Sequence, residues 1–164
     1  MKKRGAVFIT ESGVIAAIYV LLTMMFVPIS FGQSGIDVRI AEALIILPYF
    51  TPAAVPGLAV GCVIANIMGG GIIWDIIFGS CATLIGAALG YVLRKNRWLV
   101  PLPAVLSNTL IIPFILRYGY GINLPIPMLM LSVGAGEMIG GYVLGQLLLT
   151  VLLPRREAIF REEE

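Results

Sequence analysis

A chain of 164 residues that is 59% hydrophobic, only 12% charged and has a mean hydropathy of +1.00 is composed as an integral membrane protein, with no room for a separate soluble domain. Its net charge is only +2 and its basic residues stand where a membrane topology needs them, so nucleic-acid binding has no support. Histidine is absent and neither cysteine belongs to a CxxC pair, which removes the usual zinc sites, and no GxxxxGK[ST] phosphate loop is present. No cofactor is expected.

A first apolar span runs from about Thr10 to Ser30 and is read as an uncleaved helix rather than a signal peptide. The connection Phe31 to Asp37 leads into an apolar run broken by Pro48, Pro52 and Pro56. A proline removes a backbone donor and clashes with the preceding turn, so this region reads as two short helices, 38–51 and 53–68, rather than one straight helix. Gly69-Gly70-Gly71 makes a corner, and a fourth helix from Trp74 to Leu93 ends at Arg94-Lys95-Asn96-Arg97. A fifth spans Leu99 to Arg117 and a sixth Pro127 to Leu153, closed by Arg155-Arg156, with Arg161 to Glu164 as a solvated tail.

The expected fold is therefore an all-α, six-transmembrane-helix bundle forming a single domain, 1–164. The positive-inside rule places Lys2-Lys3-Arg4, the Arg94 to Arg97 cluster and Arg155-Arg156 on the cytoplasmic side, which six spans satisfy together with both termini cytoplasmic. A five-span reading would put the Arg94 cluster outside.

Polar side chains inside such a chain carry the functional expectation, because an ionisable group in hydrocarbon costs roughly 2.5–3.5 kcal/mol and turns to an interior, a cavity or a partner. Arg39, Glu42, Asn66, Asp75, Asn108 and Glu137 meet that description and suggest a ligand chamber open to the outside. Each has a structural rival: Arg39 and Glu42 pair along one helix face, Asp75 caps or complements the fourth helix, and Asn108 bridges helices. Trp74, Tyr49 or Tyr118 could stack on a ring, while Trp98 reads as an interface anchor. Cys62 and Cys81 read as small packing residues rather than a disulfide. An Asp75 and Glu137 catalytic dyad has no flanking motif, so the chain is not read as an enzyme. Small residues on the first helix, Ser12, Gly13, Ala16 and Ala17, would admit a neighbouring helix, either within the bundle or from a partner.

The run Val38-Arg39-Ile40-Ala41-Glu42-Ala43-Leu44-Ile45-Ile46-Leu47-Pro48-Tyr49-Phe50-Thr51-Pro52, followed by Gly57, Gly61 to Asn66, Asp75 to Thr83, Pro101 to Asn108 and Gly136-Glu137, resembles the QueT family over residues 6–153. The resemblance implies the substrate-binding S component of an energy-coupling factor (ECF) transporter in the bacterial cytoplasmic membrane. Such a component captures a small-molecule substrate outside and docks on a transmembrane T subunit with two ATPase subunits. It implies queuosine precursors, 7-deazaguanines, as substrates, and docking through small residues of the first helix, here Gly13, Ala16 and Ala17. An S component for another vitamin, such as a cobalamin-type solute, and a self-sufficient secondary transporter remain open alternatives; the latter would show paired broken helices.

Overall fold

A computed structural model describes residues 2–30 and 39–156, with side chains described for 5–26 and 39–156. The connection at 31–38 and the tail from 157 onward lie outside the described residues. Six helices follow in order: α1 Lys2–Ser30, α2 Ile40–Tyr49, α3 Ala54–Met68, α4 Asp75–Val92, α5 Leu102–Gly119 and α6 Ile126–Arg155. No strand occurs among the described residues.

Four of these helices, α1 and α4 to α6, are long and apolar enough to cross a membrane, while α2 and α3 are shorter. α2 winds as a 3-10 helix, which rises about 2.0 Å per residue, so its 10 residues reach roughly 20 Å. The 15 residues of α3 reach about 22 Å, and neither covers a hydrocarbon core of about 30 Å. The proline-rich break is thus a tight hairpin inside the bundle. Its turn satisfies its own backbone: Phe50 N–H and Thr51 N–H donate to Leu47 O, and Ala53 N–H donates to Thr51 Oγ1 at 3.2 Å. Ser12 Oγ of α1 closes the account by donating to Ala53 O at 2.9 Å.

α2 is the centre of the molecule. Every residue from Ala41 to Pro48 is buried, and α1, α3, α4 and α6 all pack on it. A stretch buried on all sides reads as continuously apolar, as Leu44-Ile45-Ile46-Leu47 does, so Glu42 within it stands out.

α1 leans chiefly on α3. A Cβ at Gly61 would lie 3.1 Å from the Cα of Ala16 and 2.9 Å from the Cβ of Tyr19, so the crossing requires glycine there. The small-residue stripe of α1 is thereby divided: Ala16 is buried in this crossing, whereas Gly13 and Ala17 are exposed.

Candidate functional site

Glu137 lies about 17 Å along α6 at the usual helical rise, near the middle of a membrane span, and is 6% exposed. Its Oε1 accepts from Nδ2 of Asn108 on α5 at 2.9 Å. Directly after it the helix loosens into a π-helical stretch, Met138–Val143, containing Gly140 and Gly141. These glycines admit α2: a Cβ at Gly140 would stand 2.7 Å from the carbonyl of Arg39, and one at Gly141 would stand 3.4 Å from Glu137 Oε2 and 3.9 Å from the Cβ of Glu42. Glu42 and Glu137 therefore flank the same glycine. Glu42, 1% exposed, accepts at Oε1 from the hydroxyl of Tyr19 on α1 at 2.7 Å.

A second polar centre lies at the α4 end of the bundle. Asp75 is the first residue of α4, opens another π-helical turn, Asp75–Gly79, and is 3% exposed. Its Oδ2 accepts from the Tyr120 hydroxyl at 3.0 Å and its carbonyl accepts from Asn66 Nδ2 at 3.2 Å, while Oδ1 has no hydrogen-bond partner among the described residues. No side-chain cap forms at the start of α4, so the carboxylate binds across to a loop rather than along its own helix. Tyr120 lies beyond the end of α5. Desolvation and then the adjacent Asp75 charge push its phenol above the ordinary tyrosine value, so it remains a donor at neutral pH.

Cys62 and Thr83 extend the second centre. The sulfur of Cys62 accepts from Thr83 Oγ1 at 3.5 Å and from Asn66 Nδ2 at 3.6 Å. Arg39 is half-buried at the start of α2, and its backbone carbonyl faces Gly140 of α6. Of the six residues singled out by sequence, Glu42 of α2, Asn108 of α5 and Glu137 of α6 belong to the first centre and Asn66 of α3 and Asp75 of α4 to the second, while Arg39 stands at the start of α2. The π-helical stretches described above adjoin these centres, Met138–Val143 the first and Asp75–Gly79 the second, and a third, Ile115–Gly119, ends just before Tyr120. Inserting a residue into a helical turn re-aims the side chains beside it, which is why such turns recur at functional positions.

Tyr19, Cys62, Thr83 and Tyr120 escaped the sequence reading as site residues. Tyr19 obeys the same rule as the carboxylates, a polar atom within an apolar span, but a phenol also packs as an apolar ring and gives a weaker signal. The aromatic residues considered for ring stacking lie elsewhere: Trp74 stacks on Phe78, and with Tyr118 they line an apolar groove of about 460 Å³ on the bundle surface. Tyr49 packs edge-on against Phe50 at the hairpin turn. Cys62 is buried and Cys81 exposed, both free, so no disulfide joins them. Among the described residues no cluster of metal-ligating side chains occurs.

With no strand among the described residues, several helices of membrane length, and carboxylates and an amide buried between them, the chain is a multi-pass membrane protein with the make-up of a solute transporter. Residues 9–154 match the QueT transporter family, and the chain belongs to that family. It is a family of transporters, not enzymes, of the cell membrane. A curated relative, the queuosine precursor transporter QueT of Lactococcus lactis subsp. cremoris (strain MG1363), is 33% identical over 96 residues, which cover 57% of this chain and 54% of that protein. The chain spans about half the length of this curated relative. No solved structure matches it.

Proposed function

We propose that this chain is the substrate-capture S component of an ECF-type transporter and that its solute is a 7-deazaguanine precursor of queuosine. The Asn108 and Glu137 pair carries the reading: a carboxylate held by an amide in mid-span, with Glu42 on the other side of Gly141. A guanine-like edge offers two adjacent N–H donors that one carboxylate accepts side by side, and amides answer its carbonyl and ring nitrogen. Glu137, Asn108, Glu42, Arg39, Asn66 and Asp75 form the proposed ligand set. The name of the Lactococcus relative supports the substrate class.

The proposed topology has six membrane segments with both termini cytoplasmic. The α2 and α3 hairpin returns the chain to the side on which α1 ended, so the three basic clusters share the cytoplasmic side. Uptake is energised by a T subunit and two ATPase subunits, with the exposed Gly13 and Ala17 of α1 at the docking surface and Ala16 behind them.

The test is equilibrium binding of the purified protein to 7-deazaguanines, guanine and unrelated vitamins. Glu137→Gln is expected to lose at least about tenfold in affinity for a deazaguanine, equivalent to 1.4 kcal/mol, whereas Glu157→Gln in the tail leaves it unchanged. Binding of another vitamin alone would overturn the substrate, and equal effects of the two substitutions would overturn the site.

A further inference from the structure

The carboxylate of Asp75 is buried, yet half of it is unanswered. Its Oδ2 accepts from the uncharged Tyr120 hydroxyl, while Oδ1 is buried with no hydrogen-bond partner among the described residues. No lysine or arginine pairs with Asp75 among those residues either. Arg117, near the end of α5, donates to Leu124 O at 2.7 Å instead, and the sequence of the 31–38 connection contains no basic residue. Asn66 beside it spends its amide nitrogen on Cys62 and on the Asp75 carbonyl, and no described residue donates to its side-chain oxygen. What this spot offers is therefore acceptors and one negative charge.

Gly79 gives Oδ1 its seat. A Cβ there would stand 2.8 Å from Oδ1, 3.5 Å from Asn66 Nδ2 and 3.7 Å from Ile112 Cδ1 of α5. Ile112 follows Asn108 by one helical turn, about 6 Å along α5. The free oxygen of Asp75 thus faces the same stretch of α5 that presents Asn108 to Glu137.

A buried carboxylate is costly unless its charge is paired and its oxygens are hydrogen-bonded. A water or a neutral N–H would satisfy the oxygen but not the charge. An ammonium does both, since it carries three donors and no acceptor. We infer that Asp75 sets specificity within the deazaguanine class by receiving a cationic amine borne on the 7-substituent of the ligand. The Glu137 and Asn108 pair holds the pyrimidine edge of the base. The 7-substituent leaves the five-membered ring at the other end of the fused bicycle, and an arm running along α5 from Asn108 meets Gly79 and Asp75 one turn on. Tyr120 keeps Oδ2, and Oδ1 takes the amine. The inference rests on the proposed substrate class and adds which members of that class are preferred.

The experiment measures equilibrium binding of the purified full chain to two ligands of the same shape, 7-deazaguanine with an aminomethyl group on carbon 7 and 7-deazaguanine with an ethyl group there. The first is cationic at neutral pH and the second is neutral. The unaltered chain should bind the amine at least about tenfold more tightly. Asp75→Asn, which keeps the shape and removes the charge, should lose most of that preference because its loss falls chiefly on the amine. Glu137→Gln should weaken both ligands and keep the preference. Equal binding of the two ligands by the unaltered chain, or an undiminished preference in Asp75→Asn, would overturn the inference and leave the deazaguanine reading in place. An equal loss of both ligands in Asp75→Asn would do the same, since Asp75 would then serve the shared base or the fold. Binding of neither ligand by the unaltered chain would overturn the substrate reading and the inference together.

Discussion

Glu137 and Asp75 are almost equally secluded, at 6% and 3% exposure, yet they are held by different means. Glu137 receives its hydrogen bond from Asn108 in the middle of a neighbouring helix, and its surroundings are fixed by the close approach of α2 to Gly140 and Gly141. Asp75 is held by Tyr120, a residue that is 36% exposed in the connection between α5 and α6. That connection and the one between α3 and α4 each turn through a glycine at positive φ, Gly121 at 70° and Gly70 at 74°, conformations that strain residues with a Cβ. The first centre is set by packed helices. The second is closed by loop contacts, which open at lower free energy than core helices do.

Gly140→Val should break the first centre with the largest effect. The added carbons meet the carbonyl of Arg39, a backbone atom that cannot yield without moving α2. A loss of about 1–3 kcal/mol or more is expected from overpacking, read as a lowered midpoint of thermal unfolding in detergent. An unchanged midpoint would contradict a rigid contact between α2 and α6.

Asn108→Ala comes next. It removes the described donor to a carboxylate in the membrane interior, with an expected loss of about 1–3 kcal/mol in the same unfolding assay. Tyr19→Phe keeps the ring in its packing and deletes only the donor to Glu42, so its loss should fall within that range and below that of Asn108→Ala. If the phenylalanine variant were as stable as the parent, the Tyr19 hydroxyl would not be what holds Glu42.

Tyr120→Phe should act least on global stability, by about 1 kcal/mol or less, because water reaches the exposed side of this contact. Its signature should be local: faster amide hydrogen exchange in residues 118–125, which Asn108→Ala leaves unchanged. The raised phenol pKa gives this contact a pH dependence of known sign. The stabilisation is fully present below the ordinary tyrosine value and is lost as pH rises through the higher folded value. Exchange protection of the loop should therefore fall only above the ordinary tyrosine range, and that transition should vanish in Tyr120→Phe. A fall at or below the ordinary value would mean that Asp75 does not hold the phenol.

Much of the fold was legible because a membrane makes sequence rules strict. Apolar runs of sufficient length mark the spans, and the helix bounds fall close to those expected: 38–51 became Ile40–Tyr49, 53–68 became Ala54–Met68, and Trp74 to Leu93 became Asp75–Val92. The prolines located the break, but the 3-10 winding of α2 and its position at the centre were not readable, since a buried apolar run looks alike in any helix. The division of the α1 stripe was also hidden. Spacing shows that Gly13, Ala16 and Ala17 are small, and only the crossing with α3 tells which of them is already covered.

By itself, the sequence determined the solvent, the number of helices and the charged and amide residues Glu42, Asp75, Asn108 and Glu137 as ones that turn away from lipid, because the cost of exposing charge to hydrocarbon acts residue by residue. The tertiary structure alone decided which of those residues meet. Asn108 reaches Glu137, Tyr19 reaches Glu42 and Tyr120 reaches Asp75 across separations of 29, 23 and 45 residues. Such pairings depend on helix crossings, on glycines that admit a neighbouring backbone and on π-helical turns that re-aim side chains, and all of these are set by the bundle as a whole.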